Sequence, residues 1–164
     1  MSKQIKKSDY YIGAFLYHIV KKVIRPAIIM DCSDSAKIIE FETNEAEYNV
    51  FVKYSSKPKN KTPEAKRWDF VFTEGETSKL RKMLNSRGKI FVVLVAAEPN
   101  LTDTEIAVLN YDDANLCLGD DNKNKNRRIT VVYNKHRRHL LCYGTALSDL
   151  KALKTERSLD KHFV

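Results

Sequence analysis

Lys53 is the residue whose position most suggests chemistry, because it closes a strand-like apolar run at residues 49–55. A lysine in that position is typical of the catalytic strand of a metal-dependent nuclease, where an acid two residues earlier helps to hold a divalent cation. Here Phe51 stands where that acid is needed. Oxygen ligands for Mg²⁺ would have to come from other carboxylates. The acids that remain on the preceding strands are Asp31, Glu40 and Glu42.

Two interpretations of Lys53 follow. In the first, Lys53 is catalytic with Asp31, Glu40 and Glu42 in a weak Mg²⁺-dependent nuclease, and Mg²⁺ is the one cofactor expected. In the second, Lys53 is a structural residue at a sheet edge, and its long side chain carries the amine to solvent. Counting faces along the strand puts Lys53 on the side of Phe51 rather than beside an acid. The sequence therefore favours a protein without catalysis and without a cofactor.

Charge is unevenly distributed along the chain, whose net charge is +8. Residues 31–47 hold six acids and one base, and residues 98–121 hold seven acids and no Lys or Arg. Basic residues concentrate instead in a loop at 57–67, in a helix and its exit at 79–89, and at 123–139. Basic clusters that share one face attract a polyanion, whereas scattered ones only keep a protein soluble. A nucleic acid is therefore one expected partner.

The loop at 57–67 and a hairpin tip at 134–139 are the predicted contacts to phosphates. The hairpin lies next to Tyr133 and Tyr143, whose rings are candidates for stacking on bases. An alternative is an exposed turn whose charges keep an edge strand from pairing with other chains. The predicted nucleic-acid-binding residues are Lys57, Lys59, Lys61, Lys66, Arg67, Lys135, Arg137 and Arg138.

Other classes of function find less support in the sequence. The three cysteines are far apart and predict reduced thiols rather than a metal site. Five glycines leave little room for a phosphate-binding loop, so a nucleotide cofactor is not expected. No apolar run approaches the length of a membrane span, and the first residues lack the apolar core of a signal peptide. We expect a cytoplasmic protein with no membrane partner.

Hydrophobic periodicity predicts an α/β (α+β) fold in one domain over residues 1–164. The expected order is an N-terminal helix, an antiparallel three-strand meander and a strand–helix–strand unit, which together form a mixed central sheet flanked by helices. Residues 1–7 and 156–164 are expected to fray, and 120–127 to form a flexible loop. The predicted helices are 8–24, 74–85 and 111–118, and the predicted strands are 27–31, 37–43, 47–55, 68–73, 89–97, 104–110, 128–133 and 140–143.

Three segments carry a resemblance to a known family. They are Phe-Val-Lys-Tyr-Ser-Ser-Lys-Pro at 51–58, Trp-Asp-Phe-Val-Phe at 68–72 and the apolar strand at 90–95. In this order they resemble a family of small, uncharacterised bacterial proteins, whose layout is similar to restriction-endonuclease-like folds. The resemblance implies such a fold with a degraded metal site, and Phe51 is the main departure from the nuclease pattern. It implies no activity.

Two hypotheses from different classes result. The first is a nucleic-acid-binding protein with a nuclease-like core and no working metal site. The second is a protein–protein interaction module of a mobile element or defence system, which meets a protein partner or a second copy of itself. Segregated charge is compatible with both.

Overall fold

A computed structural model describes residues 4–59, 62–99, 103–120 and 126–164. The helices of this part of the chain are α1 (Lys7–Ile19), α2 (Glu74–Lys82) and α3 (Tyr111–Leu118). Its strands are β1 (Ile28–Ser33), β2 (Ala36–Glu42), β3 (Glu47–Ser55), β4 (Ala65–Phe72), β5 (Lys89–Ala96), β6 (Glu105–Asn110), β7 (Arg127–Asn134), β8 (Leu140–Gly144) and β9 (Leu153–Thr155).

The first sheet contains five strands in the order β1-β2-β3-β5-β6. Its strands pair antiparallel except β3 and β5, which run parallel. A parallel pair needs a crossover connection, and here β4 and α2 supply it. The predicted α+β fold with an N-terminal helix, an antiparallel meander and a mixed central sheet is therefore confirmed.

A second, antiparallel sheet has the order β4-β7-β8-β9. The sequence predicted the first three of these strands, but it did not predict that they leave the central sheet and form their own. The alternation of apolar and polar residues along β4 explains why this strand can form part of a separate sheet. Trp68, Phe70 and Phe72 are buried on one face of β4, as predicted, while Val71 on the other face is half exposed. A strand with one apolar face suits a sheet that covers another sheet on one side only.

Two hydrophobic cores lie on opposite faces of the five-stranded sheet. One is enclosed between the two sheets, with α2 and α3 at its margin, and contains Phe51, Trp68 and Leu94. The other lies beneath α1 and contains Phe15, Phe41 and Val93. Strands β3 and β5 contribute to both cores, which explains why the sequence of β5 is apolar on both faces.

The C-terminal residues pack against the core, so the predicted fraying of 156–164 is wrong. The Phe163 ring is fully buried and makes edge-on or tilted contacts with Phe15, Phe41 and Phe91. Burial of an aromatic ring contributes enough free energy to order a short tail. Of the other segments expected to be mobile, residues 1–3 and 121–125 lie outside the described residues.

Helix α1 ends earlier than its apolar pattern predicted. The pattern continued to Val23, but the helix stops at Ile19 and Val20 is largely exposed. Beyond the helix, the Ile24 amide donates to the Glu42 carbonyl at the end of β2 (3.0 Å). Pro26, which lacks an amide hydrogen, then leads the chain into β1.

Candidate functional site

Lys53 is buried, so the prediction of a lysine that reaches solvent is wrong. Its residue lies opposite Ala36 in the pairing of β2 with β3, and only 4% of its surface is exposed. The amine Nζ lies 2.6 Å from Glu76 Oε2 and donates to Ser35 Oγ at 2.8 Å. It also lies 5.5 Å from the centre of the Phe72 ring. Every contact of this amine is therefore internal to the fold.

Glu76 is held in place by the start of α2. Thr73 caps this helix, because its hydroxyl accepts a hydrogen bond from the Glu76 amide and its own amide donates to Glu76 Oε1, each at 3.2 Å. The Ser33 hydroxyl donates to Glu76 Oε2 at 3.4 Å. This capping box is readable in the sequence, but the sequence does not indicate that its glutamate faces Lys53, 23 residues away.

The Lys53–Glu76 pair joins three elements at one point. Lys53 belongs to β3 and Glu76 to α2, while Ser33 ends β1 and Ser35 lies in the turn that leads to β2. Both charged side chains are at least 95% buried. A carboxylate in the first turn of a helix is favoured by the helix dipole, and burial of a charge costs less free energy when the charge is paired and hydrogen-bonded. This arrangement fixes the crossover to the central sheet.

The structure does not bring the predicted catalytic acids to Lys53. Asp31 pairs with Lys37 at 2.6 Å, on the opposite face of the sheet from Lys53. Glu40 and Glu42 share the face of Lys53, but they follow Ala36 by four and six residues. At ~3.3 Å per residue they lie roughly 13 and 20 Å away along the strand.

The residues of this face do not fit a shared Mg²⁺. Phe51 is fully buried and stacks on Phe72, with ring centres 5.6 Å apart, in the position where a nuclease needs its acid. Within the described ranges, no three His, Cys, Asp or Glu side chains come together as a metal-binding group. The catalytic role of Lys53, Asp31, Glu40 and Glu42 stays a prediction without a metal geometry behind it.

Two of the predicted basic segments are neighbours in space. Pairing of β4 with β7 sets Ala65 opposite Asn134 and Lys66 opposite Tyr133, so the loop before β4 lies beside the hairpin after β7. The Lys135 amide donates to the Glu64 carbonyl at 2.8 Å, and the His136 ring contacts the Glu64 carboxylate. We call the surface formed by the described residues of 57–67 and by 134–139 the basic end.

The predicted binding residues of the basic end differ in their exposure and in their ion pairs. Lys66 lies 3.1 Å from Glu98 and is only 14% exposed. Lys59 and Arg67 lie 3.0 and 3.7 Å from the Asp69 carboxylate. Lys61 lies outside the described residues. The members that are exposed and form no ion pair within the described part of the chain are Lys57, Lys135, Arg137 and Arg138.

Asp69 is the acid that Lys59 and Arg67 of the basic end contact. Burial favours the neutral acid, but hydrogen bonds from Thr130 and Lys59 and the nearby charge of Arg67 outweigh it, and the pKa of Asp69 falls below its usual value. The Thr130 hydroxyl donates to Asp69 Oδ1 at 2.8 Å. The carboxylate is therefore ionised at neutral pH and compensates two of the neighbouring cations.

The C-terminal segment adds cations that the sequence did not predict as binding residues. Pairing of β8 with β9 sets Leu140 opposite Thr155 and brings the following residues beside the hairpin. The Arg157 guanidinium lies 5.4 Å from the centre of the Tyr133 ring. An open cavity adjoins the basic end here, lined by Arg138, His139, Thr155, Glu156, Arg157, Ser158 and Lys161. No local motif marks these residues, because only the β8–β9 pairing places them.

The basic cluster at residues 79–89 lies away from the basic end. It begins on α2, which follows Phe72 at the far end of β4 from Ala65. Seven residue steps along a strand correspond to roughly 23 Å. The structure therefore joins the hairpin part of the 123–139 cluster to the loop at 57–67, whereas Arg127, which lies opposite Phe72, is at the far end of β4 with the cluster at 79–89.

Comparison of the chain with protein-family models, with curated proteins and with solved structures finds no match in any of the three. Function is therefore argued from the residues of this chain alone.

Proposed function

We propose that this protein binds the phosphate backbone of a nucleic acid through its basic end. The pairing of β4 with β7 is the observation that supports this most, because it unites two basic segments that are about 70 residues apart in the sequence. Neither segment alone presents more than a few cations. Together they gather cations of both segments at one end of the second sheet, beside the Glu64 carboxylate.

Four exposed cations are the proposed phosphate contacts: Lys57, Lys135, Arg137 and Arg138. None is engaged by an acid within the described residues, so each is available to replace a counterion on a phosphate. Displacing four counterions from a duplex corresponds to a slope of roughly −3.6 in a plot of log affinity against log salt concentration.

The rings near the basic end support backbone binding rather than base stacking. The Tyr133 ring is already engaged by Lys66 Nζ at 5.8 Å and by Arg157 at 5.4 Å. The Trp68 ring is fully buried, and its indole nitrogen donates to the Ala97 carbonyl at 2.8 Å. Phosphate contacts without base contacts carry little sequence information, so we expect binding with little sequence preference.

The test is a salt titration of binding to fluorescently labelled duplex DNA, single-stranded DNA and RNA. One variant replaces Lys135, Arg137 and Arg138 with alanine. A matched control replaces Lys82, Arg87 and Lys89, three exposed cations of the distant cluster, and so removes the same charge. We expect the hairpin variant to reduce the salt slope by about three and the control to leave it nearly unchanged.

Two results would count against the proposal. No binding to any of these nucleic acids at low salt would reject it outright. Equal losses in both variants would show that net charge, rather than the basic end, determines binding. If the protein binds, its affinities for RNA and for DNA show which of the two it prefers.

No helix of the described chain is long and apolar enough to cross a membrane. We propose that this binding occurs in the cytoplasm.

A further inference from the structure

The cavity beside the basic end brings an acid, a histidine and three cations together. Its volume of about 580 Å³ lies within the range of sites that hold small molecules. The hairpin contributes Arg138 and His139, and the segment after β9 contributes Glu156, Arg157 and Lys161. Proton donors, proton acceptors and positive charge at one point are what the cleavage of a phosphodiester needs.

The pairing of β8 with β9 places His139 beside Glu156. In this antiparallel pair Leu140 lies opposite Thr155. His139 directly precedes the first of these residues, and Glu156 directly follows the second. The two side chains therefore leave the same end of the pair, where opposite Cβ atoms are ~5 Å apart. A ligand in the cavity can reach both of them.

Glu156 is ionised at neutral pH and is open to solvent. The pKa of its carboxyl lies below the usual value, mainly because Lys161 donates a hydrogen bond to Glu156 Oε2 at 3.2 Å. The charge of Lys161 adds to this effect, followed by the charges of His139 and His162. The side chain of Glu156 is 36% exposed. It is therefore a carboxylate that can take a proton from a ligand in the cavity.

The three cations of the cavity can surround a phosphate group. Arg157 is held in place, because its Nε donates to Glu105 Oε2 at 2.9 Å and its guanidinium lies 5.4 Å from the centre of the Tyr133 ring. Arg138 is exposed and forms no ion pair within the described residues, and the side chain of Lys161 is 61% exposed. Cations around a phosphate stabilise the charge that builds on its oxygens as a new bond to phosphorus forms.

We propose that this cavity cleaves single-stranded RNA, with Glu156 as the general base and His139 as the general acid. The inference rests on the proposed function, because the basic end must hold the RNA backbone before the cavity can act on it. The 2′ hydroxyl, which DNA lacks, supplies the nucleophile. A single strand can turn its 2′ oxygen into line with the bond that breaks, whereas an A-form helix holds that oxygen out of line.

The reaction is a transfer within the RNA. Glu156 removes the proton of the 2′ hydroxyl, and the 2′ oxygen forms a bond to the adjacent phosphorus. The bond from this phosphorus to the 5′ oxygen of the next nucleotide breaks, and that oxygen takes a proton from the His139 imidazolium. One fragment then ends in a 2′,3′-cyclic phosphate and the other in a 5′ hydroxyl. Water carries the proton from Glu156 back to His139.

The test incubates the full chain with fluorescently labelled single-stranded RNA in the presence of EDTA. We expect fragments with 2′,3′-cyclic phosphate and 5′-hydroxyl ends, which mass spectrometry identifies. Glu156→Gln and His139→Ala should each lower the cleavage rate about a hundredfold or more. The matched controls, Glu45→Gln and His18→Ala, change exposed residues of the same types outside the cavity and should cleave at the wild-type rate. Circular dichroism confirms that all four variants remain folded.

A second RNA separates cleavage from binding. RNA with 2′-O-methyl groups lacks the nucleophile, so it should bind without being cleaved. Glu156→Gln should bind this RNA at least as tightly as the wild-type chain, because the substitution removes a negative charge beside the phosphate.

Several results would overturn the inference. Equal cleavage by the wild-type chain, Glu156→Gln and His139→Ala would assign the activity to a contaminating nuclease. Cleavage that needs a divalent cation, or that leaves a 5′ phosphate, would show a different chemistry. Binding of RNA without cleavage, or binding of DNA alone, overturns the inference and leaves the proposed function standing, whereas no binding to any nucleic acid rejects both.

Discussion

Lys53 and Glu76 offer the most direct test of how this fold is held together. Replacing Lys53 with methionine keeps most of the length of the side chain but removes its charge, and leaves the Glu76 carboxylate with the Ser33 hydroxyl and the Thr73 amide as partners. Removing one member of a buried ion pair typically costs about 3–5 kcal/mol, because an uncompensated charge stays buried. A domain with a total stability of roughly 5–15 kcal/mol would lose a large part of it.

Urea unfolding followed by the fluorescence of Trp68 measures this loss. Trp68 is the one tryptophan of the chain and is fully buried between the two sheets, so its emission reports on the core. The matched control is Lys57→Met, an exposed lysine four residues along the chain, for which we expect a change of at most about 0.5 kcal/mol.

The double variant Lys53→Met with Glu76→Gln completes a double-mutant cycle. Glutamine retains an oxygen that can accept from the Thr73 amide, so the cap of α2 is preserved. We expect the double variant to lose less stability than the two single variants combined, by about 0.5–3 kcal/mol. Additive losses, or a Lys53→Met cost below about 1 kcal/mol, would refute the view that this pair stabilises the fold as a unit.

Two further predictions concern the backbone and pH. Gly88→Ala should destabilise the chain by more than about 1 kcal/mol, because Gly88 has a φ of +96° and an added Cβ would lie 2.8 Å from the Glu47 carbonyl oxygen. Gly13→Ala should stabilise the chain by about 0.5–1 kcal/mol in the same urea assay, because Gly13 lies in α1 and an added Cβ would have no atom within 4 Å. Because the folded state lowers the pKa of Asp69 below its unfolded value, Asp69 contributes stability at neutral pH that is lost as the pH falls through the folded pKa. Asp69→Asn should therefore flatten the acid side of a plot of stability against pH, and an unchanged acid limb would show that the hydrogen bonds of Asp69 do not favour its charged form.

Local patterns predicted the elements of this fold well where a single face or a strong boundary defines them. Strand β3 and helix α3 have the bounds that the sequence indicated, since polar turns and a capping Asn110 mark their ends. The burial of Trp68 and the interior position of β5 in its sheet also followed from alternation and from continuous apolar character. In each case the physical signal lies within about ten neighbouring residues.

The candidate sites depended on pairings that no local pattern encodes. The sequence singled out Lys53, but the partner of Lys53 is Glu76 on a helix rather than an acid on a neighbouring strand. The cations at 157 and 161 lie beside the hairpin only because β9 pairs with β8. Likewise, the apolar sequence of β1 suggests an interior strand, and only the strand order shows that it is an edge.

The sequence by itself determined the class of fold, most of the helices and strands, and the segregation of charge, because these follow from short-range periodicity and composition. Tertiary structure decided that the strands divide into two sheets, that Lys53 is buried against Glu76, and that the basic loop at 57–67 meets the basic hairpin at 134–139. The physical reason is that strand order and register arise from contacts between residues far apart in the chain. Their energies depend on how whole faces fit together, and not on the residue types of any one segment.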